Sequence, residues 1–297
     1  MRAAEATKSD CEMRRSSFAV KWFWLPMRIA LGITRPKRAI LGAYFSGEVE
    51  AIGEAVTKFR KGDRVFGSAA LHMGAYGEYL CLPDSSTLMT MPSNMSLEEA
   101  AAVPLGELNA LHFLRMADIQ NGEKVLVNGA GGSIGAWAVQ IAKAMGAEVN
   151  AVDSALKKEM LRGIGADHFI DYAKEDFVRS GKTYDVILSM IARTPFSACL
   201  AALNPNGRYL LVNSRLSDML RACLPLKPDG KKAIYTFAGE KEEELLALRK
   251  MIEEGKIRAV VDRIYPMEQA VEAHRRVEAE KRLGPVVISI GPAGSTT

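Results

Sequence analysis

Lys124-Val-Leu-Val-Asn128 leads directly into Gly129-Ala-Gly-Gly-Ser-Ile-Gly135, and the stretch from Ile134 to Met145 follows. The first segment is a short, β-branched run that reads as a strand. In the last, Ile134, Ala138, Ile141 and Met145 share one helical face, and Gly146 stops the helix. Between them, Ala130, Gly132 and Gly135 hold the three places of a G-x-G-x-x-G pattern, with Ala in the first. The first place makes a tight turn, the second lets backbone approach a pyrophosphate, and the third lets helix and strand pack closely. Gly131, Ser133 and Ile134 complete the loop and join the candidate cofactor contacts. The helix start behind the loop offers N–H groups and a positive dipole end to phosphates. Asp153 ends the next strand-like run, Glu148 to Asp153, 18 residues past Gly135. About 20 is the spacing of a ribose-binding carboxylate in dinucleotide sites. A glycine-rich turn in another α/β fold would lack this combination, so dinucleotide binding is the favoured reading.

The alternation extends outward from this unit. Ala155 to Ile164 reads as a helix, His168 to Asp171 and Tyr184 to Ser189 as strands, and Pro195 to Leu203 as a short helix. Asn204-Pro-Asn-Gly207 reads as a turn, because Pro presets φ and Gly accepts positive φ. Arg208 to Val212 and Lys232 to Phe237 are further strands, and Glu240 to Glu254 is a long helix closed by Gly255. Strands alternating with helices predict a parallel sheet covered on both faces. The flanks differ. Leu41 to Pro83 holds short apolar runs broken by glycines and reads as a small antiparallel β domain. Ser96-Leu-Glu-Glu99 is a capping box, Gly284 to Ile290 a strand, and Gly291 to Thr297 a loose tail.

Bulk properties narrow the function classes. The 297 residues are 48% hydrophobic and 25% charged, as in a soluble globular chain of about two domains. Lys plus Arg exceeds Asp plus Glu by four (39 minus 35) with no basic stripe, which argues against a nucleic-acid partner. Cys11, Cys81, Cys199 and Cys223 form no CxxC pair, which fits a reducing cytoplasm. Met1 to Met13 lacks the apolar core of a signal peptide. The most apolar early stretch, Val20 to Ile33, is interrupted by Pro26 and Arg28 and is too short for a membrane span of about 20 residues. Its Trp22, Phe23, Trp24 and Met27 are expected to form a buried loop or pocket wall rather than a membrane contact.

With the flanks added, the sequence resembles the medium-chain dehydrogenase/reductase superfamily, and within it the zinc-independent quinone oxidoreductase branch. The carrying segments are Gly47-Glu-Val-Glu-Ala-Ile-Gly53, Lys61-Gly-Asp-Arg-Val-Phe66, Gly77-Glu-Tyr79, Leu97-Glu-Glu-Ala-Ala-Ala-Val-Pro104, the glycine loop, Leu161-Arg-Gly-Ile-Gly-Ala-Asp167 and Ile170-Asp-Tyr172. Tyr265-Pro-Met-Glu-Gln-Ala-Val-Glu-Ala-His274 and Gly284-Pro-Val-Val-Ile288 follow in family order. The resemblance implies an α/β fold: a Rossmann doubly wound parallel sheet over residues 105–261, inserted into a GroES-like β-barrel domain of residues 1–104 and 262–297. It implies a substrate cleft between the two. In the family several barrel strands precede the segment matching Thr7 to Asp10. The GroES-like part is therefore expected to be incomplete at its N-terminal side, and less stable than the Rossmann part.

The resemblance also assigns roles. Zinc-dependent members hold the metal with two Cys and one His, and the matching places here are Thr7, Ala43 and a position near Leu105. None of these side chains is a zinc ligand, and His72, His112, His168 and His274 show no ligand spacing. Without a Lewis acid, hydride transfer suits an acceptor that is already conjugated and electrophilic, a quinone or an enone. Thr7 and Asn109 fall near the nicotinamide and substrate, and Ser9 where relatives place a proton-relay hydroxyl. Tyr44 is the candidate for polarising a carbonyl or donating a proton. Asn213, after the fifth strand of the parallel sheet, bounds the nicotinamide pocket. Cofactor choice receives mixed signals. Asp153 favours the ribose diol of NADH, while Ser154, Lys157 and Tyr172 fall where NADPH-using relatives bind the 2′-phosphate; the balance leans to NADH. The expected partner is a small-molecule substrate, with a homodimer common among relatives. An alcohol or aldehyde dehydrogenase and a non-catalytic nucleotide-binding remnant are the competing readings.

Overall fold

The computed structural model describes residues 1–18, 24–33, 37–224, 229–236 and 241–291. In chain order its first elements are β1 (Ala3–Ala6), α1 (Lys8–Arg15), α2 (Trp24–Leu31), β2 (Tyr44–Glu48), β3 (Arg64–Ser68), β4 (Leu88–Thr90), α3 (Leu97–Ala101) and α4 (Pro104–Ala117). The middle holds β5 (Lys124–Asn128), α5 (Ser133–Ala144), β6 (Glu148–Asp153), α6 (Lys158–Gly163), β7 (His168–Asp171), β8 (Tyr184–Ser189), α7 (Phe196–Ala201) and β9 (Leu203–Leu211). It continues with α8 (Leu216–Ala222), β10 (Lys232–Tyr235), α9 (Glu242–Glu253), β11 (Arg263–Pro266), α10 (Ala270–Glu278) and β12 (Val286–Ser289).

These elements fall into two compact units, Met1–Leu108 with Glu240–Thr297, and Asn109–Gly239. In the second, β7, β6, β5, β8, β9 and β10 lie side by side in that order, every pair parallel. The strand order reverses between β5 and β8, and in such sheets ligands bind at the carboxyl ends of the strands beside the reversal. The central strands are apolar because both faces are covered: Val125, Leu126 and Val127 of β5 and Val186, Ile187 and Leu188 of β8 are all fully buried. Asn204-Pro-Asn-Gly207 does not separate two elements. It lies inside β9, where Leu203 pairs with Tyr184 and Arg208 already with Val186. The four residues Asn204 to Gly207 of β9 therefore lie opposite the single Asp185 of β8, and the excess bulges outward with Asn206 at φ +61°.

The first unit carries a six-stranded sheet ordered β11, β12, β1, β2, β3, β4. It is antiparallel except for β11 with β12. β1 is an interior strand, paired with β12 on one side and β2 on the other. Its Ala3, Ala4 and Ala6 are fully buried: Ala4 and Ala6 join Phe45, Val286 and Ile288 in one cluster, and Ala3 joins Ala101, Ala102 and Val287 in another. The capping box closes as expected: Ser96 Oγ accepts from Glu99 N (3.1 Å), and Ser96 N donates to Glu99 Oε2 (2.9 Å). Helix α9 clusters with this unit. Arg249 donates to Thr90 Oγ1 (2.8 Å), and the Ile252 carbonyl accepts from Asn94 Nδ2 (2.9 Å). The clusters therefore divide at 108/109 and 239/240, where the sequence places boundaries at 104/105 and 261/262.

The apolar stretch near the start is corrected by the structure. Residues 24–31 form a helix, not a buried loop or pocket wall. Trp24, Leu25 and Ile29 are 46%, 59% and 56% exposed, and Met27 is half-buried. Trp24 Nε1 donates to the Ser16 carbonyl. Trp22 and Phe23 lie outside the described residues, as do Phe237, Glu240 and residues 292–297. Among the described residues no helix is long and apolar enough to cross a membrane.

Candidate functional site

The glycine loop joins β5 to α5 at the reversal point of the parallel sheet. Each glycine meets a different constraint. A Cβ on Gly135 would lie 2.3 Å from the Gly129 carbonyl oxygen and 2.6 Å from that of Ala130, so loop and helix touch there without room for a side chain. A Cβ on Gly132 would meet only the Gly129 oxygen, at 3.6 Å. Gly132 is the N-cap of α5 and, having no side chain, makes no capping hydrogen bond to that helix start. Gly132 and Ile134 are partly exposed, while Ala130, Gly131, Ser133 and Gly135 are buried. A helix start whose N-cap is a partly exposed glycine, behind a glycine-rich loop, is the cradle a pyrophosphate fits. The residues present thus suit a dinucleotide.

Asp153 lies beside that cradle. Its Oδ2 accepts from Gly131 N (2.7 Å) and its Oδ1 from Ser154 N (2.8 Å). Lys157 Nζ approaches Oδ1 at 3.1 Å and donates to the Gly131 carbonyl (3.2 Å). Tyr172 is 63% exposed. At the carboxyl ends of β5 and β8, Asn128 Nδ2 donates to Ser189 Oγ (3.1 Å) and Thr194 Oγ1 (2.8 Å). Past β9, exposed Asn213 donates to the Met190 carbonyl (3.2 Å). Its neighbour Ser214 is buried, with a hydroxyl that has no hydrogen-bond partner among the described residues. Ser214 is missing from the sequence reading; its position one residue past Asn213 was the available signal.

In the first unit, Thr7 is the N-cap of α1. Its Oγ1 donates to Asp10 Oδ2 (2.6 Å) and accepts from Asp10 N (3.1 Å). Asp10 Oδ1 accepts from Gly42 N (3.1 Å), which ties Thr7 to the segment leading into Ala43 and Tyr44. Ser9 is exposed and Tyr44 half-buried on β2; Asn109, the first residue of the second unit, is half-buried on α4. Asp10 was not singled out in the sequence, although Thr7-Lys-Ser-Asp10 has the spacing of a capping box. Burial pushes the Asp10 carboxyl above its ordinary range, against the pull of the Thr7 and Gly42 hydrogen bonds. Tyr76 Oη lies 3.1 Å from His274 Nε2. Burial raises the Tyr76 phenol well above 10 and lowers the His274 imidazole below 6.5. Glu107, in the first turn of α4, is fully buried, and neither carboxyl oxygen has a hydrogen-bond partner among the described residues. Burial alone holds its acid well above 4.5. An acid among the apolar residues of α4 was its signal in the sequence.

Thr7, Ala43 and Leu105 do not fit zinc. One offers a hydroxyl already committed to a helix cap, and the others offer hydrocarbon. Among the described residues, no three His, Cys, Asp or Glu side chains are grouped as metal ligands would be.

Comparison with known proteins adds independent findings. Residues 1–93 match the family described as alcohol dehydrogenase GroES-like domain, and residues 164–288 that described as zinc-binding dehydrogenase. A quinone oxidoreductase of Sus scrofa is 31% identical over 248 residues, covering 80% of this chain and 75% of its own. Spectinabilin polyketide synthase system protein NorB of Streptomyces orinoci is 32% identical over 276 residues. That match takes in 89% of this chain but only 12% of NorB's length. The solved quinone oxidoreductase of Coxiella burnetii superimposes with a TM-score of 0.84 at 26% identity, over 98% of this chain and 89% of that one. Glycine loop, strand order, GroES-like segment and these relatives agree: the chain belongs to the medium-chain dehydrogenase/reductase superfamily, as a quinone oxidoreductase-like member.

Proposed function

We propose that the chain is an NAD(P)H-dependent oxidoreductase that reduces a quinone or an α,β-unsaturated carbonyl without zinc. The observation that carries this reading is the donor set at the three positions where zinc-dependent relatives bind metal, Thr7, Ala43 and Leu105. Reduction of an isolated carbonyl builds an alkoxide, which a metal normally stabilises. A conjugated acceptor spreads that charge over its own π system and needs less help. The bound dinucleotide supplies the hydride.

The chain's own residues bind and orient. The start of α5 and the Gly132 backbone take the phosphates, and Asp153 takes the adenine-side ribose diol, which favours NADH. Asn213 and Asn109 bound the nicotinamide end. Ser9 and Tyr44 are the hydroxyls proposed to carry a proton to the reduced acceptor. Thr7, its hydroxyl held by Asp10, positions the α1 start. Most of the rate advantage then comes from holding two reactants in register. A cytoplasmic setting and a homodimer belong to the same proposal.

The test is oxidation of NADH and NADPH by the purified protein with quinones, enones, aldehydes and simple ketones. Turnover is expected with the first two classes, faster with NADH. Faster turnover of aldehydes or simple ketones would overturn the reading. Cofactor binding with no turnover of any acceptor would make the chain a nucleotide-binding protein instead.

A further inference from the structure

Lys157 has an unusual setting for a residue at a phosphate-binding place. It is only 7% exposed, and Asp153 8%. Its ammonium is bound on both sides by the glycine loop's own machinery: Asp153 Oδ1 at 3.1 Å and the Gly131 carbonyl at 3.2 Å. Its stem lies flat on the loop, since a Cβ on Gly131 would come within 2.2 Å of Lys157 Cδ. Asp153 is fixed in turn by the backbone N–H groups of Gly131 and Ser154.

We infer that Asp153 sequesters Lys157, so that discrimination against a 2′-phosphate is a property of the pair rather than of the carboxylate alone. The inference rests on the dinucleotide reading. A 2′-phosphate brought to this place meets a carboxylate and a lysine whose charge is already matched. To recruit the lysine it would have to break an ion pair and a hydrogen bond, and leave the nearly buried Asp153 carboxylate without its cation, held only by the Gly131 and Ser154 N–H groups, which is costly. A ribose diol asks for less. Asp153 keeps an unfilled lone-pair direction, and Lys157 keeps a third N–H for a hydroxyl oxygen. Lys157 is therefore a latent phosphate ligand, released only when Asp153 is removed.

The test is a double-mutant cycle on the full chain, read as the ratio of Kd for NADPH to Kd for NADH by fluorescence titration. Asp153→Ser should lower the ratio by about tenfold or more, the worth of a charge-assisted hydrogen bond gained. Adding Lys157→Met should return that gain. In the wild type, Lys157→Met should move the ratio by no more than about threefold, because the lysine is already engaged elsewhere. Should the Met variant not fold, Lys157→Gln keeps a polar tip for the Gly131 carbonyl while removing the charge. An equal effect of losing Lys157 with and without Asp153 would overturn the inference, as would an Asp153→Ser ratio unchanged from wild type. A wild type that binds neither cofactor would overturn the dinucleotide reading itself, and this inference with it.

Discussion

Two glycines three residues apart make opposite predictions. At Gly132 a Cβ has room, so Gly132→Asp should fold with a near-normal melting temperature while its carboxylate occupies the phosphate cradle. Cofactor affinity measured by fluorescence titration should be abolished; unchanged affinity would sink the assignment of the loop. At Gly135 a Cβ would overlap two carbonyl oxygens, so Gly135→Ala should lower the melting temperature itself. The roles of the glycines were legible in the sequence because they follow from backbone geometry at fixed spacing. Glu107 was not, because its state depends on what surrounds it. Its acid is raised by burial, so the folded form keeps the proton while the unfolded chain releases it above about 4.5. The acid's burial is therefore tolerated at low pH, and stability falls as pH rises through the interval between the two values. Glu107→Gln should match the wild type near pH 4. It should become the more stable of the two as pH rises, by at most about 1.4 kcal/mol per pH unit, measured by denaturant titration. A difference independent of pH would show that the carboxyl ionises freely.

At the scale of elements, the strands and helices of the second unit were legible because periodicity and punctuation agree there. β6, β7 and β8 match their sequence readings residue for residue. The misreadings have physical causes. The Asn204–Gly207 segment carries turn residues, yet the ladder resumes beyond it, so tertiary pairing absorbs the turn as a bulge in β9. Trp24, Leu25 and Ile29 of α2 are apolar without being buried, which composition cannot reveal. The start of α1 is the clearest lesson about the candidate site. Resemblance assigns Thr7 a place near substrate, while the structure gives its hydroxyl to Asp10. Thr7→Val should therefore cost stability, about 1–2 kcal/mol from the lost cap, because Asp10 also loses a donor in a buried setting. Thr7→Ser should restore most of it. A Val variant as stable as wild type by denaturant unfolding would show that the cap contributes nothing.

For the whole molecule, the metal question is decided by analysis of the purified protein. Less than stoichiometric zinc is expected, with turnover and melting temperature unchanged by chelators; stoichiometric zinc that survives chelation would overturn the zinc-free reading. The parallel alternation is bracketed by antiparallel signals on both flanks, and this is what suggests an inserted domain in the sequence. α9 is helical in pattern wherever it packs, and its contacts with β4 group it with the first unit. The pairing of β1 with β12 has a consequence for synthesis. Ala3 faces Ser289 and Ala6 faces Val286, so one edge of β1 waits for a partner until nearly the whole described chain has left the ribosome. At roughly 5–20 residues per second that wait is on the order of tens of seconds. The parallel sheet of residues 109–239, by contrast, holds all its strands in one continuous stretch and can assemble during the wait. A nascent chain therefore carries a finished insert beside a β1 edge whose N–H and C=O groups remain open to any passing strand.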